Sequence, residues 1–419
     1  MSYPEMIRIR QQFDSTQLID IPSEIQAKLS CLALEGRVKP GESVAVGCSS
    51  RGIANYDTII RATVAGLKKM GLKPFLFPAM GSHGAANAEG QSRVLSLSGI
   101  SEKTMGAPVR SSLDTQEIGK TAEGVPVLVD SLAWKADHIV LANRIKPHTE
   151  FTHNFESGVL KMLAIGLGKE KGAKFYHKAF ISHGYGHTIG AIARVVMQSG
   201  KFLFGIAVVE NGYGQTALVD VIAPDELEKR ESILLKKAYR MSPGLPFEEA
   251  DVLIIDEMGK DISGCGFDAK VVGRIGMPLI SQEPQTPRVK RIVVCDLTAK
   301  TEGNADGVGC ADFITERLAK KIDLNALYVN AIAGSEPEHA RIPMQLPSDG
   351  KAIEAAMGSV GLIPVNRLKV IRIKNTQQLD VVEVSKAYRN EITSRSLEIL
   401  DEFSEMAFNA DGNLPAFEF

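Results

Sequence analysis

The segment from residue 41 to residue 84 decides the fold, because it combines a strand, a helix and a second strand. GESVAVGCSS (41–50) is a Val-rich strand that runs into a polar loop, and NYDTIIRATVAGLKKMG (55–71) carries apolar residues at helical spacing. KPFLFPAMGSHG (73–84) is a strand followed by a Gly-rich turn, and further strands are predicted at VPVLVD (125–130) and HIVLANRIKPH (138–148). This alternation predicts an α/β protein with mainly parallel sheets.

The same pattern restarts near residues 242–250, after SPGLPFEEA. We therefore predict two domains, residues 1–245 and residues 246–419, with the active site in the cleft between them. The second domain is expected to contain strands at 252–257, 291–296, 326–334 and 369–375, and helices at 311–322 and 348–360.

Composition argues against several classes of protein. The chain has 419 residues and a formal net charge of −2, which argues against a nucleic-acid binder with a basic surface. No apolar run approaches the roughly 20 residues that span a bilayer, and the N-terminus lacks the apolar core of a secretory signal. Five cysteines without a CxxC pair argue against a disulfide framework. We expect a cytoplasmic protein with neither nucleic acid nor membrane as a partner.

Histidines are concentrated in one part of the chain, since seven of the eight lie between residues 83 and 187. Ligands of open α/β sheets bind at the carboxyl ends of the strands, so the loops that follow strands are the places to look for a site. Arg51 follows the first strand and suits a carboxylate or a phosphate, while a solvated loop charge is the alternative. His83 lies in a Gly-rich turn after the second strand, where it could be a base, a ligand or a cap.

The densest group of candidate residues lies in NRIKPHTEFTHNFESGVLKMLAIGLGKEKGAKFYHKAF (143–180). A zinc or iron site of a hydrolase or lyase could use His148, His153 and His177, with Glu156 as a further ligand, although the spacing matches no known hydrolase signature. Lys161 has apolar neighbours, so it either extends to the surface or is desolvated and becomes a nucleophile. Three further lysines are expected in a solvated turn: Lys169, Lys171 and Lys174.

Four of these segments together, CSSRG, MGSHG, KPHTEFTHNFESGVLK and YHKAF, resemble the nickel-dependent lactate racemase family. The resemblance implies a nickel-pincer cofactor, a pyridinium-3-thioamide-5-thiocarboxylic acid mononucleotide that holds nickel. It further implies that Lys161 tethers the cofactor and that His177 is a nickel ligand. His83 and His148 would be the acid/base pair, and Arg51 would bind the substrate carboxylate.

The chemistry of a 2-hydroxy acid racemase or epimerase agrees with this set of residues. Proton-coupled hydride transfer needs a proton acceptor on each face of the planar keto intermediate, and histidine suits both positions near neutral pH. The expected partners are a small hydroxy acid and the proteins that make the cofactor. A binding protein that keeps the fold without the chemistry is a further alternative.

The sequence also departs from the lactate-specific members of that family. The motif at Cys48 lacks their aspartate, and the stretch between His148 and Lys161 is longer. We therefore do not expect lactate to be the substrate on the basis of the resemblance. Lys260, Asp268 and Arg274 are this chain's own candidates for substrate binding, with loop charges as the alternative for each. A pocket with these groups would suit a larger or polyhydroxylated acid, such as a sugar acid.

Overall fold

The computed structural model describes residues 2–32, 34, 36–50, 52–81, 83–84, 87–278, 280–395 and 397–417. The chain divides into two compact units. The N-terminal unit comprises Asp14–His148 and Thr152–Ser242, and the C-terminal unit comprises Met1–Phe13, Thr149–Phe151 and Pro243–Phe419. Within the described residues, no helix has both the length and the apolarity needed to cross a bilayer.

The strands are β1 (Glu5–Arg10), β2 (Ser43–Cys48), β3 (Lys73–Pro78), β4 (Thr115–Lys120), β5 (Pro126–Asp130), β6 (His138–Arg144), β7 (Phe202–Glu210), β8 (Thr216–Ile222), β9 (Glu249–Ile255), β10 (Arg288–Val294), β11 (Phe313–Thr315), β12 (Met344–Leu346), β13 (Val370–Ile373), β14 (Val381–Ser385), β15 (Glu398–Ile399) and β16 (Ser404–Glu405).

The helices are α1 (Ile21–Cys31), α2 (Tyr56–Lys69), α3 (Ala88–Leu97), α4 (Glu102–Met105), α5 (Ser131–Lys135), α6 (Val159–Lys161), α7 (Leu167–His183), α8 (Tyr185–Gln198), α9 (Leu227–Met241), α10 (Ala269–Val272), α11 (Glu316–Ala319), α12 (Leu324–Gly334), α13 (Asp349–Gly358) and α14 (Arg389–Ser394). A π-helical turn, Met162–Gly166, joins α6 to α7.

The N-terminal unit is built on a five-stranded sheet with the order β3-β2-β6-β7-β8. The first four strands are parallel, and β8 runs antiparallel to β7. Five of the six residues of β2 are buried, as expected for a parallel strand covered on both faces. Because β3 and β6 lie on opposite sides of β2, the strand order reverses beside β2, and such a reversal opens a crevice at the carboxyl ends of the strands.

The C-terminal unit contains a nine-stranded mixed sheet with the order β12-β11-β10-β9-β13-β14-β1-β15, and β16 also pairs with β1. The five strands from β12 to β13 are parallel, and β14 and β1 extend the sheet in antiparallel pairing. Both units thus have the predicted α/β architecture with mostly parallel strands. The predicted first domain, residues 1–245, differs from the N-terminal unit because β1 pairs with β14 and lies in the C-terminal unit.

Two predicted elements of the second half are wrong. The predicted strand at 326–334 is part of helix α12, which begins where the Asp323 side chain accepts the N–H groups of Asn325 and Ala326. A short apolar run is compatible with either a strand or a helix. The Asp323 cap is the sequence feature that indicates a helix here. The predicted helix at 311–322 contains strand β11 before the short helix α11, which Thr315 caps.

Candidate functional site

Three loops of the N-terminal unit follow parallel strands, and two of them carry the predicted catalytic residues. The loops after β2, β3 and β6 all leave the carboxyl edge of the sheet, on either side of the reversal in strand order. His83 lies in the loop after β3 and is exposed, and His148 lies in the loop after β6 and is buried. Arg51, predicted in the loop after β2, lies outside the described residues.

The start of the loop after β2 is fixed by Tyr56, a buried residue of α2. Its hydroxyl accepts the N–H of Ser49 (2.7 Å) and donates to the carbonyl of Ala142 on β6 (3.0 Å). Cys48 beside it is fully buried, and burial raises the pKa of its thiol to about 12. Cys48 is therefore a small core residue rather than a reactive thiol.

The His83 loop is held by a buried polar network that the sequence did not indicate. Gln91 donates from Nε2 to the carbonyl of Gly81 (3.0 Å), and Lys169 donates from Nζ to Gln91 Oε1 (2.7 Å) and to the carbonyl of Pro78 (2.7 Å). Asp130 Oδ2 lies 3.5 Å from Lys169 Nζ. Burial raises the pKa of Asp130 and lowers that of Lys169.

The prediction of a solvated turn at Lys169 is therefore wrong, whereas Lys171 and Lys174 are exposed as expected. Lys169 is fully buried because its backbone leaves the helical conformation there, with a φ of 55°. Its ammonium links the end of β3 to Gln91, and Gln91 is the contact that positions the backbone beside His83.

The loop after β6 is organised by Glu156, which is fully buried. Its carboxylate accepts the backbone N–H of His148 (2.6 Å), the backbone N–H of His153 (3.2 Å) and the hydroxyl of Tyr239 (2.9 Å). These contacts occupy the carboxylate that a zinc site would need. Glu156 shapes the loop that presents His148.

His148 and Lys161 are brought into contact. Lys161 Nζ forms a hydrogen bond with His148 Nε2. Because a lysine ammonium has only donors, Nε2 of His148 accepts in this contact when the lysine is charged. Two residues that are thirteen positions apart in sequence thus share one site.

Lys161 ends the short helix α6, whose first N–H groups point at another buried acid. Glu231 Oε2 accepts the N–H groups of Val159 (2.9 Å) and Leu160 (3.1 Å). Burial raises the pKa of Glu231 to about 8, although these two donors lower it. The π-helical turn that follows Lys161 is a type of distortion often found at functional sites.

Glu231 was missed by sequence reasoning, although a signal exists. It lies on the apolar face of α9, together with the buried residues Leu227, Leu234 and Ala238. A carboxylate in a helical apolar stripe is a candidate buried group, because charged side chains are seldom fully buried without a specific partner.

His177 lies on α7 and is partly buried, with its ring 5.4 Å from that of Phe180. Tyr176 beside it is fully buried, and its hydroxyl accepts the N–H of Leu128 (2.8 Å), which holds α7 against β5. A histidine on a helix that is fixed in this way can present its imidazole to a metal.

The hypothesis of a zinc or iron site made of His148, His153 and His177 finds no support in the described part of the chain. The two groups of three or more close metal-ligating side chains found there include none of these histidines. His153 packs its ring against Phe155 at 4.4 Å, and burial lowers the pKa of His153.

The three substrate candidates of the C-terminal unit all have local partners. Lys260 Nζ lies 3.1 Å from Asp306 Oδ2 and 2.6 Å from Asn330 Oδ1. Asp268 caps α10 by accepting the N–H of Lys270 (2.9 Å).

Arg274 is the most fully engaged of the three. It donates to Asp312 Oδ2 (2.8 Å) and to the carbonyl of Cys310 (2.9 Å), as well as to carbonyls of the neighbouring strand. Asp268 and Arg274 therefore have contacts that hold their own loops in place.

The fold and the site geometry together define a class: an α/β protein with a histidine–lysine site at the carboxyl edge of parallel strands. Residues 9–188 match the family model for the lactate racemase N-terminal domain. Over this segment the match confirms the resemblance to the lactate racemase family.

Among solved structures, the chain is similar to the lactate racemase apoprotein from Thermoanaerobacterium thermosaccharolyticum. The TM-score is 0.54 at 13% sequence identity, over 89% of this chain and 99% of that chain. The likeness extends the shared fold to both units. No curated protein matches the chain in sequence.

Proposed function

We propose that the protein is an isomerase that racemises or epimerises a 2-hydroxy acid with a nickel-pincer cofactor. The observation that carries the proposal is the contact between Lys161 and His148. It joins the residue proposed to hold the cofactor to a residue proposed to move the substrate proton. The match of residues 9–188 to the lactate racemase N-terminal domain model supports the reaction class.

The donor set of the N-terminal unit fits the proposed cofactor. The partly buried amine of Lys161 can form the covalent link, and the imidazole of His177 is a ligand type that suits nickel. The chemistry that the bound cofactor would supply is reversible hydride acceptance at the α-carbon of the substrate. Glu231 and the π-helical turn fix the backbone around Lys161, so the tethering residue is held in position.

The protein's own part in the reaction is to bind the acid and to move its hydroxyl proton. His148 takes the proton from the hydroxyl on one face, and His83 supplies or removes it on the other. The roles exchange when the reaction runs in reverse. Arg51 binds the carboxylate of the substrate, since a guanidinium grips a carboxylate with two hydrogen bonds.

The proposed substrate is a larger or polyhydroxylated acid. Lys260 is the residue of the C-terminal unit that we propose binds such a molecule, because its side chain is partly exposed and its partners Asp306 and Asn330 hold it by the ammonium alone. The proposal includes a cytoplasmic location and the cofactor-making proteins as partners. A screen of deuterium exchange and epimerisation across hydroxy acids and sugar acids identifies the substrate.

Mass spectrometry of the protein co-expressed with a cofactor-making system tests the tether. We expect an adduct on the peptide that contains Lys161, loss of the adduct in Lys161→Arg, and retention in the exposed control Lys171→Arg. An unmodified Lys161 together with no bound nickel would contradict the covalent version.

Turnover tests the two bases. His83→Ala and His148→Ala should each abolish turnover of the loaded enzyme while thermal unfolding stays close to that of the wild type. Ligand binding with no turnover in the loaded wild type would instead identify a binding protein that has kept the fold.

A further inference from the structure

Three loops of the C-terminal unit bring a second set of ligating side chains together. Cys265 lies in the loop after β9, Asp306 in the loop after β10, and His339 in the segment after β11. One ligand atom from each of these three residues lies within 4.8 Å of the others, and all three residues are buried. The loops follow neighbouring parallel strands, so they converge at the carboxyl edge of the sheet.

Two of these side chains have one polar atom held by a neighbour and a second polar atom that makes no hydrogen bond. His339 Nε2 lies 2.8 Å from the carbonyl of Ile275 and donates to it, so a metal that bound His339 would displace the proton on Nδ1, the ring nitrogen that faces Glu336. Asp306 Oδ2 accepts from Lys260 Nζ at 3.1 Å. Both His339 Nδ1 and Asp306 Oδ1 are buried atoms without a hydrogen bond.

This arrangement is typical of metal ligands, because outer partners set the tautomer and the orientation of the ligating groups. Burying a polar atom without a hydrogen bond lowers the stability of a protein, so His339 Nδ1 and Asp306 Oδ1 need an explanation. A cation coordinated by these two atoms would satisfy both.

Cys265 connects this trio to two glutamates. Its sulfur also forms a close group with carboxylate oxygens of Glu150 and Glu336. Glu336 is 3% exposed, and its Oε2 lies 3.2 Å from His339 Nδ1. Glu150 Oε1 lies 3.7 Å from Cys265 Sγ. A carboxylate is therefore close enough to complete a four-ligand set.

We propose that the C-terminal unit binds a structural Zn²⁺ ion through Cys265, Asp306 and His339, with a neighbouring glutamate as the fourth ligand. A thiolate, an imidazole and carboxylates are the ligand types that zinc takes in proteins, usually as four in a closed site. The ion would offset two of the three negative charges of the thiolate and the two carboxylates, and the ammonium of Lys260 beside Asp306 would offset the third. Because the ligands come from three separate loops, the ion fixes the loop that carries Lys260.

Metal analysis of the full chain tests the site. After incubation with a small excess of Zn²⁺ and dialysis, we expect about one zinc per chain for a closed four-ligand site. Cobalt substituted for zinc should give a sulfur-to-metal charge-transfer absorption, which reports the bond to Cys265 without any mutation. Cys265→Ala and His339→Gln should each weaken binding at least tenfold, and Cys265→Ala should abolish the charge-transfer absorption.

Two controls make the result specific. Cys295→Ala alters another buried thiol of the same unit and should leave zinc binding and the cobalt spectrum unchanged. His177→Ala removes the proposed nickel ligand of the N-terminal unit and should also leave both unchanged, so this proposal and the proposed function fail independently. Zinc that is lost on dialysis, or binding that is equal in wild type and Cys265→Ala, would overturn the proposal.

Discussion

The buried carboxyl of Glu231 makes the stability of the N-terminal unit depend on pH. Burial raises its pKa from 4.5 to about 8 in the folded protein. Between these two values the folded state holds a proton that the unfolded state has released, so stability falls as pH rises. One pKa unit corresponds to about 1.4 kcal/mol, and the full penalty above pH 8 is therefore about 5 kcal/mol.

Glu231→Gln should remove this penalty. The amide oxygen can still accept the N–H groups of Val159 and Leu160, but the side chain no longer ionises. At pH 7 the variant should gain about 3 kcal/mol, and below pH 4.5 it should match the wild type. The plot of stability against pH should be flatter between pH 5 and pH 8.

Trp134 provides the assay, because the chain has one tryptophan and it lies on α5 of the N-terminal unit. Urea unfolding followed by its fluorescence at a series of pH values gives the free energy of unfolding of that unit. Glu228→Gln, an exposed change on the same helix, is the matched control. A Glu231→Gln variant with the wild-type pH dependence, or one less stable than wild type at pH 8, would refute the reasoning.

Three further substitutions test contacts within the individual units. Lys169→Met should cost about 3 kcal/mol of stability because it leaves Asp130 buried without its partner, and equal urea midpoints would contradict this. Gly158→Ala should cost about 2 kcal/mol, since its Cβ would lie 2.1 Å from Glu231 Oε1, and a double-mutant cycle with Glu231→Ala should show a smaller penalty. Arg274→Gln should destabilise by about 2 kcal/mol with KM unchanged, and a rise in KM without a loss of stability would instead make it a substrate residue.

The sequence determined the class of fold and the loops that carry the candidate residues. Apolar runs of strand length alternate with amphipathic helices, and this periodicity follows directly from which faces must be buried. The predicted helices at 55–71 and 348–360 correspond to α2 and α13. The short apolar run at 326–334 shows where periodicity fails to predict the element, since the run was predicted as a strand and the Asp323 cap begins a helix there.

Contacts between distant residues could not be obtained from the sequence. Lys169 looks like one of several surface lysines in GKEKGAK, and only the packing of its turn against β3 and Asp130 makes it buried. Glu231 is one of several acids in a charged helix, and its partner is the start of α6 in another part of the chain.

The alternation of strands and helices in most of the chain, and the motifs that bear His83, His148, Lys161 and His177, follow from the sequence alone. The tertiary structure decided which side chains meet: Lys161 with His148 in one unit, and Cys265 with Asp306 and His339 in the other. The physical reason is that secondary structure follows from local patterns of polarity. The environment of a charged or ligating group depends instead on chain segments that come close only when the sheets form.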